Sequence, residues 1–141
     1  MSLKINLAQG ESILIGKAKV QNGGAGRCVL IVSGSENVLR EKRIMREREA
    51  TTPIRRLYFV TQSLYLTDDK PKLFTLYHQI AREAVAAWPM LAGAVTDVGE
   101  LILVERYYDA LMACHTLIEV ERGLIEAAGG IAGVEAEVAP G

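Results

Sequence analysis

The basic side chains between positions 40 and 56 have the clearest chemical potential in this sequence. Residues 40–49 hold five Lys or Arg and three Glu, and Arg55 and Arg56 follow, so this basic segment (residues 40–56) carries a net charge of +4. It can bind phosphate groups, because each neutralised phosphate releases counterions. It can equally form a solvated surface whose local ion pairs contribute little to stability.

Arg55 and Arg56 stand where cations are mildly unfavourable. The Thr-Thr-Pro sequence at 51–53 is typical of a helix start, with Thr as the N-cap and Pro at the first helical position. The two arginines then fall on the first turn, at the positive end of the helix dipole. A site for an anion or an acidic partner would explain this placement, and so would pairing with Glu47 or Glu49.

The other reactive residue types do not assemble into a catalytic or metal site. His78 and His115 are the only histidines, and Glu119 alone lies near one of them at helical spacing. Cys28 and Cys114 lie in apolar segments and are expected to be free, buried thiols. Since no nucleophile, base and orienting group come together, we expect no enzymatic activity, no cofactor and no metal.

Glycines at 23, 24 and 26 fit the G-x-x-G pattern with which KH domains clamp RNA. They lie between two predicted strands, however, and the clamp joins two helices. The pattern therefore favours a hairpin turn at 22–26, where Asn and Gly tolerate unusual backbone angles.

The composition limits the elements that can position these residues. The chain has 141 residues, of which 50% are apolar and 23% charged, enough for one ordinary domain or two small ones that share a core. The formal net charge of −1 combines +6 over residues 1–56 with −7 over residues 57–141. This asymmetry favours an anionic partner for the front half, unless the two halves simply neutralise one another.

Five short strands are predicted in the first 40 residues and would make a small antiparallel sheet. A sheet of this size buries little apolar surface alone, so it must pack on another element or dimerise. The continuous apolar run at 28–32 is expected to be buried on both faces. The predicted strands are 3–7, 12–15, 17–20, 28–32 and 38–40.

About four helices follow, which predicts an α+β protein. Apolar residues at helical spacing favour helices beginning at 53, near 70, near 91 and at 107. We expect a small β unit at 1–45, a helical domain at 46–126 and a flexible tail at 127–141. No signal peptide or membrane-spanning segment is predicted, so a cytoplasmic location is expected.

Several segments resemble the flagellar post-transcriptional regulator family FlbT. They include "VLREKRIM" at 38–45, "EATTPIRRLYF" at 49–59, "YYDAL" at 107–111 and "LIE" at 117–119. The resemblance implies a cytoplasmic regulator that associates with the 5′ untranslated region of flagellin mRNA and raises or lowers its yield. It implies no catalytic residues.

The N-terminal part also resembles the CsrA family of mRNA-binding proteins, through "GESILIG" at 10–16 and "VLRE" at 38–41. That resemblance implies a five-stranded β unit, a homo-oligomer with interleaved strands, and recognition of a GGA in the leader. Ile5 and Asn6 match the first-strand contact region, and Arg40 matches the arginine that ends the last strand. Leu7 and Ala8 stand where that family usually has basic residues.

Two functions of different classes follow from these patterns. The first is an RNA-binding regulator with the flagellin mRNA leader as its partner. The second is a protein-interaction adaptor, in which the acidic helical half binds flagellin or a partner flagellar regulator. The RNA contacts predicted for the first function are Arg40, Lys42, Arg43, Arg55 and Arg56, with Lys4 and Asn6 as further candidates.

Overall fold

The computed structural model describes residues 2–131, and within them an antiparallel β unit precedes a helical bundle. The α+β class predicted from the sequence is confirmed. The five strands are β1 (Ser2–Leu7), β2 (Ser12–Ile15), β3 (Ala18–Gln21), β4 (Cys28–Ser33) and β5 (Val38–Arg40). The four α-helices are α1 (Pro53–Leu66), α2 (Lys70–Ala87), α3 (Ala92–Leu103) and α4 (Tyr107–Ile131), and short 3₁₀ turns cover Glu41–Arg43, Glu47–Glu49 and Pro89–Leu91.

The strands form two sheets and not the single sheet predicted. β1 pairs with β4, while β2 lies between β3 and β5. The expected hairpin at 22–26 is therefore wrong, because β3 and β4 belong to different sheets. The buried Asn22 amide explains the difference: it donates to the carbonyl oxygens of Leu7 (3.1 Å), Ala8 (3.2 Å) and Gly26 (2.8 Å) and so ties the loop to the end of β1.

β4 is buried on one face only, which corrects the expectation for residues 28–32. Leu30 and Val32 pack with the small core that the two sheets share around Ile5, Leu7 and Ile13. Val29 and Ile31 point the other way and are 51% and 63% exposed. This continuous apolar run therefore contributes to the core through one face of the sheet and exposes apolar side chains on the other.

The main core lies among the helices and reaches into the β unit. α1 begins as predicted, since Thr52 is its N-cap and accepts from the backbone N–H of Arg55 (3.2 Å). Leu57 and Leu64 of α1 are fully buried, and Leu39 of β5 joins the same cluster. Among the described helices, none is both long and apolar enough to cross a membrane.

α4 is longer than expected. It continues to Ile131, past residue 127, the predicted start of the flexible tail. The rest of the predicted tail, 132–141, lies outside the described residues.

Glu121 of α4 is a buried carboxylate, 1% exposed, that joins three helices. Its Oε1 accepts a hydrogen bond from the hydroxyl of Thr52, and its Oε2 accepts from the backbone N–H of Ile54 (3.2 Å) and the indole N–H of Trp88 (2.8 Å). The positive end of the α1 dipole favours an anion at this point. Glu121 thus fixes the start of α1 and the end of α2 against α4.

Replacing Glu121 should destabilise the whole bundle. Glu121→Ala leaves the buried N–H of Ile54 and the partly buried donors of Thr52 and Trp88 without this acceptor, and we expect it to lower the free energy of unfolding by about 3 kcal/mol. Urea denaturation followed by circular dichroism measures this. The matched control is Glu119→Ala in the same helix. Its exposed side chain pairs with Arg122 at the surface, and its loss should cost less than about 0.5 kcal/mol. Equal destabilisation by both variants would contradict the assignment.

The buried thiol of Cys114 should make stability fall at alkaline pH. Burial raises the pKa of Cys114 to about 12, with a smaller opposing effect from the Thr61 hydroxyl. Since an unfolded thiol ionises near pH ~8.5, its contribution is complete below that pH and is lost as the pH rises towards 12. Its slope reaches at most about 1.4 kcal/mol per pH unit.

Urea denaturation measured at several pH values between about 8 and 11 gives the slope of the free energy of unfolding against pH. Cys114→Ala should flatten the decline, whereas Cys28→Ala should leave it unchanged. A decline of the same steepness in both variants would show that other groups cause it.

Candidate nucleic-acid interface

The basic segment is held in place by one polar face of α1. Gln62 is buried, and its amide makes two hydrogen bonds with the backbone of Met45: Oε1 accepts from the N–H (2.7 Å) and Nε2 donates to the carbonyl oxygen (3.0 Å). This pairing satisfies both backbone groups of Met45 as a neighbouring strand would. The backbone of the segment is therefore fixed even though its side chains are charged.

Two tyrosines on the same helix face extend this attachment. The hydroxyl of Tyr58 donates to the carbonyl oxygen of Arg43 (2.6 Å), and the hydroxyl of Tyr65 donates to that of Val38 (3.0 Å). Together with Gln62 they occupy positions i, i+4 and i+7 of α1, which share one side of a helix. Burial raises the pKa of Tyr58 to about 12, against the effect of the nearby Arg43 charge, so its hydroxyl keeps its proton near neutral pH.

The structure brings together two residues predicted from distant parts of the sequence. A guanidinium nitrogen of Arg40, at the end of β5, donates to the backbone carbonyl oxygen of Asn6 in β1 (2.8 Å). The same nitrogen lies 3.7 Å from a carboxylate oxygen of Glu11, while the Arg40 side chain remains 41% exposed. Arg40 therefore connects the two sheets at the surface.

Lys4 and Asn6 lie on the outer face of β1. The strand register sets Lys4 opposite Ile31 and Asn6 opposite Val29, so these four side chains share one exposed face of the β1–β4 sheet. The face combines one cation and one amide with two aliphatic side chains. It lies at the same end of the molecule as Arg40 because of the bond between Arg40 and Asn6.

The remaining predicted contacts are accessible and have no carboxylate partner in the described part of the chain. Lys42 is exposed, and Arg43, Arg55 and Arg56 are half-buried. Within residues 2–131, none of these four makes a salt bridge. The set of predicted contacts omits Arg46 and Arg48, which are also exposed and unpaired in the described part of the chain and belong to the same charged run.

Pairing with Glu47 or Glu49, one of the two explanations for the position of Arg55 and Arg56, does not occur. The anion at the start of α1 is Glu121, which binds the backbone and Thr52 rather than the arginines. Helical spacing alone could not identify this role, because Glu121 lies in α4 and its partners lie at the start of α1 and the end of α2. Its only signal is a carboxylate on an otherwise apolar face of α4.

The histidines and cysteines stay outside this surface. The ring of His115 meets that of Tyr58 edge-on, and Glu119 pairs with Arg122 (2.9 Å) rather than with His115. Cys28 and Cys114 are free thiols. The described residues hold no group of three His, Cys, Asp or Glu side chains that could bind a metal ion.

Known proteins resemble the chain over most of its length. The family model "Flagellar protein FlbT" matches residues 3–125. A protein of Caulobacter sp. (strain K31), named "Probable flagellum biosynthesis repressor protein FlbT", is 36% identical over 86% of this chain and 94% of its own length. The "Flagellum biosynthesis repressor protein FlbT" of Caulobacter vibrioides (strain CB 15) is 34% identical over 86% of this chain and 87% of its own length.

A third relative extends the agreement to another genus. A protein of Rhodopseudomonas palustris (strain TIE-1), with the name "Probable flagellum biosynthesis repressor protein FlbT", is 31% identical over 89% of this chain and 98% of its own length. No solved structure matches this chain. Because the family model covers the β unit, the basic segment and nearly all of the helices, the chain belongs to the FlbT family of flagellar proteins.

Proposed function

We propose that this protein is a cytoplasmic, non-enzymatic regulator of flagellum biosynthesis that binds the 5′ untranslated leader of flagellin mRNA. The names of its relatives, which call them flagellum biosynthesis repressors, support a regulatory role. The observation that carries the RNA-binding part is the basic segment, in which only Arg40 has a carboxylate partner among residues 2–131.

The basic segment uses backbone groups for hydrogen bonds to α1 and keeps its cationic side chains accessible. The backbone around Arg43 and Met45 is bound to α1, so little conformational entropy remains to be lost there when a ligand binds. Among residues 2–131, no carboxylate pairs with the cationic groups of Lys42 and Arg43 and so competes with a phosphate. Arginine also suits RNA because its planar fork can bond phosphate or a base edge through two N–H groups.

Removing two of these cations should weaken RNA binding and its dependence on salt. We expect the double variant Lys42→Ala with Arg43→Ala to bind a flagellin leader less tightly. The slope of log K against log salt should become shallower by about 1.4, since each phosphate contact on single-stranded RNA contributes about 0.7. Fluorescence anisotropy titrations at several salt concentrations measure both quantities.

The matched control removes the same charge elsewhere. Lys72→Ala with Arg82→Ala changes two exposed cations on α2 and should leave both affinity and slope unchanged. A leader whose GGA sequences are replaced separates sequence recognition from phosphate binding. A flat salt slope for the unmodified protein, or equal losses for the two double variants, would overturn the proposal.

A groove between α2 and α3 favours the second candidate function, a protein-interaction adaptor. It encloses about 610 Å³, and its walls include Val85, Val95 and Leu103. Tyr77 also lines this groove, and its buried hydroxyl has no hydrogen-bond partner among the described residues. Leu103 is 79% exposed, so an amphipathic segment of flagellin or of a partner regulator could bury it.

A charge placed in the groove tests the adaptor. Leu103→Lys should abolish co-purification with flagellin, because it sets a charge where an apolar side chain would dock. Val120→Lys on α4, at a position 43% exposed and outside the groove, is the matched control and should retain binding. Purified flagellin titrated by calorimetry gives the measurement. Retention of flagellin by Leu103→Lys, or no binding by the unmodified protein, would rule this function out.

A further inference from the structure

A second cavity lies between the β unit and the basic segment. It encloses about 410 Å³. Strands β2 and β3 bound it on one side, and the 3₁₀ turns Glu41–Arg43 and Glu47–Glu49 bound it on the other. Lys19 stands opposite Leu14 in the strand register, so both project from the same face. The residues around this cleft are Ser12, Leu14, Lys19, Glu41, Ile44, Arg46 and Glu49.

Four charged side chains surround the cleft without pairing with one another. Lys19 and Arg46 supply positive charge, and Glu41 and Glu49 supply negative charge. No salt bridge joins any of them within residues 2–131. Glu49 uses one oxygen to accept from the backbone N–H of Arg46 (2.8 Å), and within the described part of the chain the Arg46 guanidinium has no carboxylate partner.

The floor of the cleft contains an unsatisfied hydroxyl. Ser12 is 1% exposed, and its Oγ has no hydrogen-bond partner among the described residues. Leaving a buried polar group unpaired is unfavourable, so such groups usually meet a ligand or an ordered water. The residues that line the cleft therefore combine a buried, unpaired hydroxyl with cations, carboxylates and two aliphatic side chains.

This combination matches the parts of a nucleotide. Leu14 and Ile44 provide apolar contacts for a planar ring, and Lys19 and Arg46 provide cations for the adjoining phosphates. A carboxylate such as that of Glu41 accepts hydrogen bonds only, so it selects a base with N–H donors at its edge. Guanine presents two adjacent donors there, N1–H and the N2 amino group, whereas adenine presents one amino group.

We propose that this cleft binds one guanine nucleotide, carried by the RNA that the basic segment holds. The proposal rests on the RNA-binding function proposed above and adds a base-selecting site to it. The cleft is separate from the contact between Arg40 and Asn6, since neither of those residues lines it.

Short RNAs of defined sequence test the cleft. The probes are a twelve-residue oligouridine and the same RNA with one central guanosine or one central adenosine. We expect the guanosine probe to bind about tenfold more tightly than the other two in anisotropy titrations at fixed salt. Guanosine monophosphate is added as a competitor to separate RNA-borne guanine from the free nucleotide.

Two variants locate the preference in the cleft. Glu41→Gln and Ser12→Ala should each reduce the preference for guanosine towards unity, with unchanged binding to oligouridine and an unchanged salt slope. Ser12→Ala should also keep or raise the melting temperature, because it removes an unpaired hydroxyl. Glu47→Gln, in the same segment but outside the cleft, is the control and should keep the preference.

The possible failures are distinguishable. If no probe binds, the RNA-binding function itself fails and the cleft proposal with it. If all three probes bind equally, or if the preference survives both cleft variants, RNA binding stands and the cleft proposal is overturned. Displacement of the guanosine probe by micromolar guanosine monophosphate would support a guanine site but assign its ligand to the free nucleotide.

Discussion

The arrangement of the helices depends on the buried carboxylate of Glu121. A single side chain from α4 receives hydrogen bonds from the first turn of α1 and from Trp88 at the end of α2. A carboxylate buried without donors would cost several kcal/mol, and the three donors together with the α1 dipole offset that cost. The contact therefore specifies one arrangement of three helices, because displacing any of them leaves a buried charge or buried donors unpaired.

The position of the basic segment follows from the position of α1. One face of this helix packs into the core through Leu57 and Leu64, and another carries Tyr58, Gln62 and Tyr65. The second face binds backbone groups of β5 and of the residues after it. The charged surface therefore moves with α1, and the network that fixes α1 also fixes the surface on which the proposed function depends.

The helices and strands of this fold could be predicted because they depend on local sequence. The contacts between them could not, because they join residues far apart in the chain. The start of α1 depends on Thr52 and Pro53 alone, so its position could be derived from the sequence. The pairing of strands could not, because Asn22 directs β3 and β4 into different sheets through bonds to residues far away in the chain. The alternation of buried and exposed side chains in β4 could not be derived from residue type either, because every residue of the strand except Ser33 is apolar or Cys.

The candidate site shows the same division between local and distant information. Its basic residues are close together in sequence and were predictable, whereas the bond between Arg40 and Asn6 joins residues 34 positions apart and could not be derived from the local sequence. Within the described chain, no salt bridge links the basic front half to the acidic back half: Arg40 pairs with Glu11, and the other two pairs lie between residues 106 and 122. Glu121, the acidic residue that does reach the front half, binds neutral donors. Over residues 2–131 the two halves therefore do not neutralise one another by direct pairing, and the positive charge of the basic segment remains available to a partner.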